Sequence, residues 1–167
     1  MNFRIEERVD ASAEAAAHAL VDARFVFATA DLPKVGGAEL LDQLRNGDHV
    51  HQRIRYRFTG ELSSAVTAVV DRDRLTWIDD ADHDLTTLRS EHRILPDHYA
   101  DRLHAGYATD LAPEGDAGRS RMVVTGTVQV RMPLVGGRVE RAIVSGLEEH
   151  AAAEAQLLGD WLRGSAQ

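Results

Sequence analysis

The chain has no cysteine, and only one of its 19 basic residues, Lys34, is a lysine. Without thiols there are no disulfides, no thiolate metal ligands and no cysteine nucleophile, which agrees with a reducing compartment. Basic charge is scarce overall. Against 27 Asp and Glu it leaves a net charge of −8 with His neutral. A nucleic-acid partner is therefore not expected, because neutralising phosphates needs a basic surface. No apolar run approaches the roughly 18 residues of a membrane span. The opening "MNFRIEERVD" lacks the basic-then-apolar layout of a signal peptide. The expectation is a cytoplasmic protein with no membrane span.

What is present is ordinary for a globular chain: 167 residues, 44% hydrophobic and 28% charged. That length suits one domain, read as 1–163 with a short tail at 164–167. "NFRIEERVD" alternates, placing Phe3, Ile5, Glu7 and Val9 on one face of a strand. Asp10 or Ser12 then caps one or two short Ala-rich helices that end before Pro33. Asn46-Gly47 signals a hairpin, and its second strand puts Gln52, Ile54, Tyr56 and Phe58 inward against an outer row of Arg53, Arg55 and Arg57. "ELSSAVTAVVD" reads as a short helix or an apolar loop, and as a candidate lid. Three more extended runs follow, and then a last strand with Val124, Gly126, Val128, Val130 and Met132 on one side. The remainder reads as one helix of about 28 residues, about 42 Å long. Seven antiparallel strands need a cover for their inner face, and only this helix is long enough.

This element order, with "RYRFTGELSSAV", "ILPDHYADRL" and "MPLVGGRVERAIVSGLEEHAAAEAQLLGDWL", resembles the bacterial family catalogued as domain of unknown function 2505. That family lies within the START-like (SRPBCC, birch-pollen-allergen-like) superfamily, and the resemblance covers essentially the whole chain. It implies an α+β helix-grip fold: a curved seven-stranded antiparallel sheet around a long C-terminal helix, with a cavity between them. It implies no single activity, since relatives bind lipids, sterols or plant hormones and some cyclise polyketides.

The helix's apolar stripe runs Val135, Val139, Ala142, Ile143, Gly146, His150, Ala153, Leu157 and Trp161 at helical spacing. His150 falls near its centre and Glu154 at its edge. Small residues such as Ala142, Gly146 and Ala153 either leave room opposite the sheet or let sheet and helix approach closely. Inward strand positions also carry polar groups: Ser90 and His92 beside Leu88 and Ile94, and Tyr107 and Thr109 between Leu103 and Leu111. Such groups need partners in each other, in water or in a ligand. The candidate ligand-binding residues are accordingly His150, Glu154, Gly146, Ala142, His92, Ser90, Tyr107, Tyr56 and Val128.

Other motifs are weaker. "VGGRVER" lacks the Lys-Ser/Thr of a phosphate loop and reads as a strand-to-helix turn. Asp80, Asp82, Asp84 and Glu91 occupy positions of a calcium loop, but Leu85 stands where glycine is required, and an acidic hairpin is the simpler reading. His49 and His51 share a strand face without an obvious third ligand. No catalytic residue, metal or cofactor is assigned. Three functions remain open. The leading one is noncatalytic binding of a small hydrophobic molecule by a monomer or homodimer. The second is a cyclase or aromatase-type enzyme using His150 with Glu154, or His92 with Tyr107. The third is an interaction module whose contact patch includes Val66 and Val69.

Overall fold

The computed structural model describes residues 1–68, 70–115 and 118–165. Strand β1 (Asn2–Val9) buries Phe3, Ile5 and Val9 at every other position, as its alternation predicts. Ser12 then accepts a hydrogen bond from the Ala15 amide and starts α1 (Ala13–Leu20), and Asp22 does the same for Arg24 at the head of α2 (Ala23–Ala28). A 3-10 turn at Thr29–Asp31 completes this crossing. Six strands follow: β2 (Val35–Asn46), β3 (His49–Phe58), β4 (Thr76–Asp84), β5 (Arg89–Pro96), β6 (Leu103–Pro113) and β7 (Ser120–Val130). Between β3 and β4 lies the single helical turn α3 (Ser64–Thr67), and α4 (Gly136–Ser165) ends the described chain.

All seven strands form one antiparallel sheet in the order β1-β7-β6-β5-β4-β3-β2. Consecutive strands β1 and β2 therefore stand at opposite edges, and α1 and α2 carry the chain from one edge to the other. Two register shifts in β2, between Gly36 and Glu39 and between Leu40 and Asp42, mark the bulges that bend that edge. The β2–β3 hairpin turns at Gly47 and Asp48, one residue later than Asn46-Gly47, with Gly47 taking a φ of 61°.

At 30 residues α4 is about 45 Å long, and it packs on β1, β7 and α1 and reaches β2. Its buried hydrophobic side chains are Val144, Ala151, Ala155 and Leu158. That stripe is rotated by one residue, about 100°, from the one read in the sequence. His150 thus stands on the flank of the sheet-facing stripe instead of at its centre, and Ala142 is exposed. The physical reason is the alanine run around it: Ala151, Ala152, Ala153 and Ala155 look alike on any face, so pattern alone does not fix the rotation. The helix continues through 164 and 165, while 166 and 167 lie outside the described residues.

Two glycines set close approaches. A Cβ at Gly136 would lie 2.5 Å from the Val130 carbonyl oxygen, so glycine is what lets α4 begin directly against the end of β7. A Cβ at Gly126 would meet the Gly106 carbonyl oxygen at 2.5 Å and the Phe3 ring at 2.7 Å. Its absence lets Phe3 and Tyr107 close over the middle of β7. Farther along, Phe25 meets Trp161 edge to face at 5.8 Å, tying α2 to the C-terminal part of α4.

Candidate functional site

Sheet and helix do not pack fully against each other. An inner chamber of about 120 Å³ and an outer one of about 400 Å³ lie on the inward face, sharing Phe3, Val35, Trp77, Ile94, Tyr107 and Leu147 as walls. The outer chamber is bounded by α3 and by the first half of α4, including Val139, Ala142, Ile143 and Gly146. Val66 and Val70, 5% and 8% exposed, line it, so these valines of the "SSAVTAVV" segment form a wall and not an open contact patch. Val69 lies outside the described residues.

The chemistry of the inner chamber centres on a carboxylate. Alternation along β4 turns Trp77, Asp79, Ala81 and His83 inward, and Asp79 is only 6% exposed. Strand β5 brings His92 one diagonal step away, and β6 places Tyr107 directly opposite His92. The Tyr107 hydroxyl donates to Asp79 Oδ2 at 2.7 Å, and His92 Nδ1 lies 3.1 Å from both carboxylate oxygens. An ionised carboxylate only accepts, so Nδ1 of His92 carries a proton and Nε2 is the nitrogen left for other chemistry. The His92 and Tyr107 rings stack at 4.2 Å, and His83 meets His92 edge to face at 5.5 Å.

These contacts set the charges. Burial pushes the Asp79 carboxyl up, but the His92 charge and the hydrogen bonds from His92 and Tyr107 outweigh it and hold the group below the usual carboxylate range. Burial, reinforced by the Asp79 charge, drives the Tyr107 and Tyr56 hydroxyls well above their ordinary values, so both remain donors. Burial, and after it the nearby His92, lowers His83 to about 4, which leaves it neutral at pH 7. His83 Nδ1 pairs with Ser90 Oγ at 2.7 Å. Three buried polar atoms on chamber-lining side chains have no hydrogen-bond partner among the described residues: Gln52 Oε1, His83 Nε2 and His150 Nδ1.

Of the nine residues singled out in the sequence, His92, Tyr107, Tyr56, His150 and Glu154 line the inner chamber. Gly146, Ala142 and Val128 line the outer one, as Tyr107 also does. Ser90 reaches the inner chamber only through His83, standing behind it as its partner. His92 and Tyr107 converge, though through Asp79 and by stacking instead of by a bond to each other. Three site residues were missed: Gln52, read as inward-facing without being assigned to the site, Asp79 and His83. Asp79 and His83 lie in the acidic run "DDADHD", where the eye groups charges as a solvated hairpin, although strict alternation from Trp77 would have turned both inward.

The outer face carries a second polar group. His51 Nδ1 lies 2.8 Å from Asp82, and with Asp80 the three ligand atoms fall within 4.8 Å of one another. Arg93 and Arg53 already hold Asp80, at 2.7 and 3.5 Å, so the cluster is an ion-paired sheet surface. Residues Asp80, Asp82, Asp84 and Glu91 form the β4–β5 hairpin, whose turn Asp84 caps by accepting from the Thr86 and Thr87 amides.

A seven-stranded antiparallel sheet wrapped on a long C-terminal helix, with short helices after the first strand and a cavity between, is the helix-grip fold of the START-like proteins. The chain belongs to the family described as "Protein of unknown function (DUF2505)", which matches residues 4–162. Solved structures with this fold include the Zhui aromatase/cyclase from Streptomyces sp. R1128, at 18% identity and a TM-score of 0.69, covering 100% of this chain and 96% of that one. Norcoclaurine synthase from Thalictrum flavum is 15% identical with a TM-score of 0.65, over 97% of this chain and 86% of that one. A START superfamily protein from Mycobacterium smegmatis is 14% identical with a TM-score of 0.59, over 98% of both chains. At these identities the likeness is one of fold. No curated protein matches in sequence. Among the described residues no helix is long and apolar enough to cross a membrane.

Proposed function

We propose that this protein binds a small, largely apolar molecule across the two chambers, with the molecule's polar end toward Asp79, His92 and Tyr107. The observation that carries this reading is a pair of adjoining, largely apolar chambers, the inner one bordered by buried polar atoms on Gln52, His83 and His150 that have no hydrogen-bond partner among the described residues. Buried polar groups are ordinarily satisfied, and a ligand or water at the inner end satisfies these. Apolar burial at about 25 cal/mol per Å² supplies most of the affinity. Native mass spectrometry of freshly purified protein is expected to show a co-purified small molecule. Gly146→Phe fills the outer chamber without meeting backbone, since the nearest atoms to a Cβ there are Lys34 side-chain carbons at 3.7 and 3.8 Å. The variant should lose the adduct and weaken Nile red binding at least tenfold. No adduct in the wild type, together with equal dye binding by both proteins, overturns the proposal.

A second reading, an acid–base enzyme of the cyclase type, is favoured by the way Asp79 fixes His92 through Nδ1. That arrangement orients the imidazole so that, in its neutral form, Nε2 can take a proton from bound substrate and return one to it. With a cyclic β-diketone in D₂O, this reading expects protein-dependent deuterium incorporation at the carbon between the carbonyls, slowed by about 10²–10⁴ in His92→Gln. Exchange no faster than the buffer rate removes the reading and leaves the binding proposal intact.

A further inference from the structure

The two chambers differ in charge, and the difference points along one axis. The inner chamber is lined by two carboxylates, Asp79 and Glu154, and by the unpartnered Gln52 Oε1, all acceptors when the acids are ionised. No Lys or Arg stands among its described lining residues. Gln52 and His83, at 0% and 7% exposure, are buried far beyond what an idle surface group would be. The outer chamber reverses the pattern, with Lys34, Arg74, Arg102 and Arg138 against Glu61 and Glu149. Lys34 is held by Glu149 at 3.4 Å, Arg102 by Asp101 at 3.7 Å, and Arg74 lies over the Tyr99 ring at 5.5 Å. Arg138, on the first turn of α4, forms no ion pair among the described residues.

Resting on the binding reading above, we infer that the ligand is two-ended: an apolar, aromatic-sized body with a hydroxyl-type hydrogen-bond donor at its buried end and an anionic group at the mouth beside Arg138. A carboxylate pushed to the inner end would lose its water and face Asp79 and Glu154, which is costly in a low-dielectric site. A hydroxyl placed there can donate to Gln52 Oε1, which has no hydrogen-bond partner among the described residues. Rings suit the walls between, where Tyr56 and Trp77 pack at 6.2 Å and His92 stacks on Tyr107. An anion at the rim gains a guanidinium that no ion pair engages among the described residues. The arrangement thus selects both what binds and which way round it enters.

Titration calorimetry with 2-naphthol, 2-naphthoate and 6-hydroxy-2-naphthoate separates the parts of this inference. The hydroxynaphthoate should bind tightest, about fivefold tighter than 2-naphthoate, which lacks the buried donor. Arg138→Ala should weaken the hydroxynaphthoate roughly threefold at low salt, leave 2-naphthol unchanged, and be rescued by Arg138→Lys. Equal affinity for 2-naphthoate and the hydroxynaphthoate, or an Arg138→Ala effect that falls equally on 2-naphthol, overturns the two-ended ligand while the chamber remains a binding site. Failure of all three probes to bind overturns the chamber reading itself.

Discussion

Asp79→Ala is expected to lower the unfolding free energy by about 3 kcal/mol at pH 7. The substitution removes the acceptor for the Tyr107 hydroxyl and for His92 Nδ1 together, and both donors lie in a largely buried cluster. Truncating one partner of a buried charged network typically costs roughly 3–5 kcal/mol, because the groups left behind stay desolvated. The lower end applies because the adjoining chamber can admit water to them. Asp79→Asn keeps one acceptor oxygen and should cost about 1 kcal/mol. Urea unfolding of the three proteins checks the order. A neutral or stabilising Asp79→Ala would mean that burial of the carboxylate already cancels its hydrogen bonds, and that the group is kept for chemistry at the expense of the fold.

Acid weakens the protein in two successive windows, and the first belongs to His83. In the unfolded chain this imidazole protonates near 6.5, whereas in the fold it resists until about 4. Between those values the unfolded state holds more protons, so stability falls as pH falls from about 6.5 to about 4. At 1.36 kcal/mol per pH unit of separation the loss totals roughly 3 kcal/mol. Asp79 acts below that window. Its folded carboxyl sits under the ordinary 3.8, so the stability it contributes is complete above 3.8 and drains away as pH falls through the folded value. Unfolding free energies measured at intervals from pH 7 to pH 4 should show the first slope in the wild type and a flatter one in His83→Gln. An unchanged slope in the variant would mean that His83 accepts its proton inside the fold.

The sheet was legible because its signals are local. Phe3, Ile5 and Val9, or Gln52, Ile54 and Tyr56, declare an inward face by alternation alone, and the only long helix had to cover it. The rotation of α4 was not legible, since an alanine-rich surface carries too little contrast to choose between neighbouring faces, and His150 was set at the centre of the stripe when it stands on its flank. His92 and Tyr107 could be put on inward faces, but their meeting at Asp79 depends on the registers of three strands. Those registers pair Ala81 with His92 and His92 with Tyr107, and they emerge only once the strands are aligned. Asp79 itself was masked by Asp80, its neighbour on the opposite face.

Helix α4 keeps its two tasks on separate residues. Gly136, Val144, Ala155 and Leu158 pack into the fold, while Ala142 and Gly146 border open space. Residues of the second kind can gain methyl groups one at a time without disturbing the first. The outline of the outer chamber can therefore change while the packing that holds the helix stays as it is.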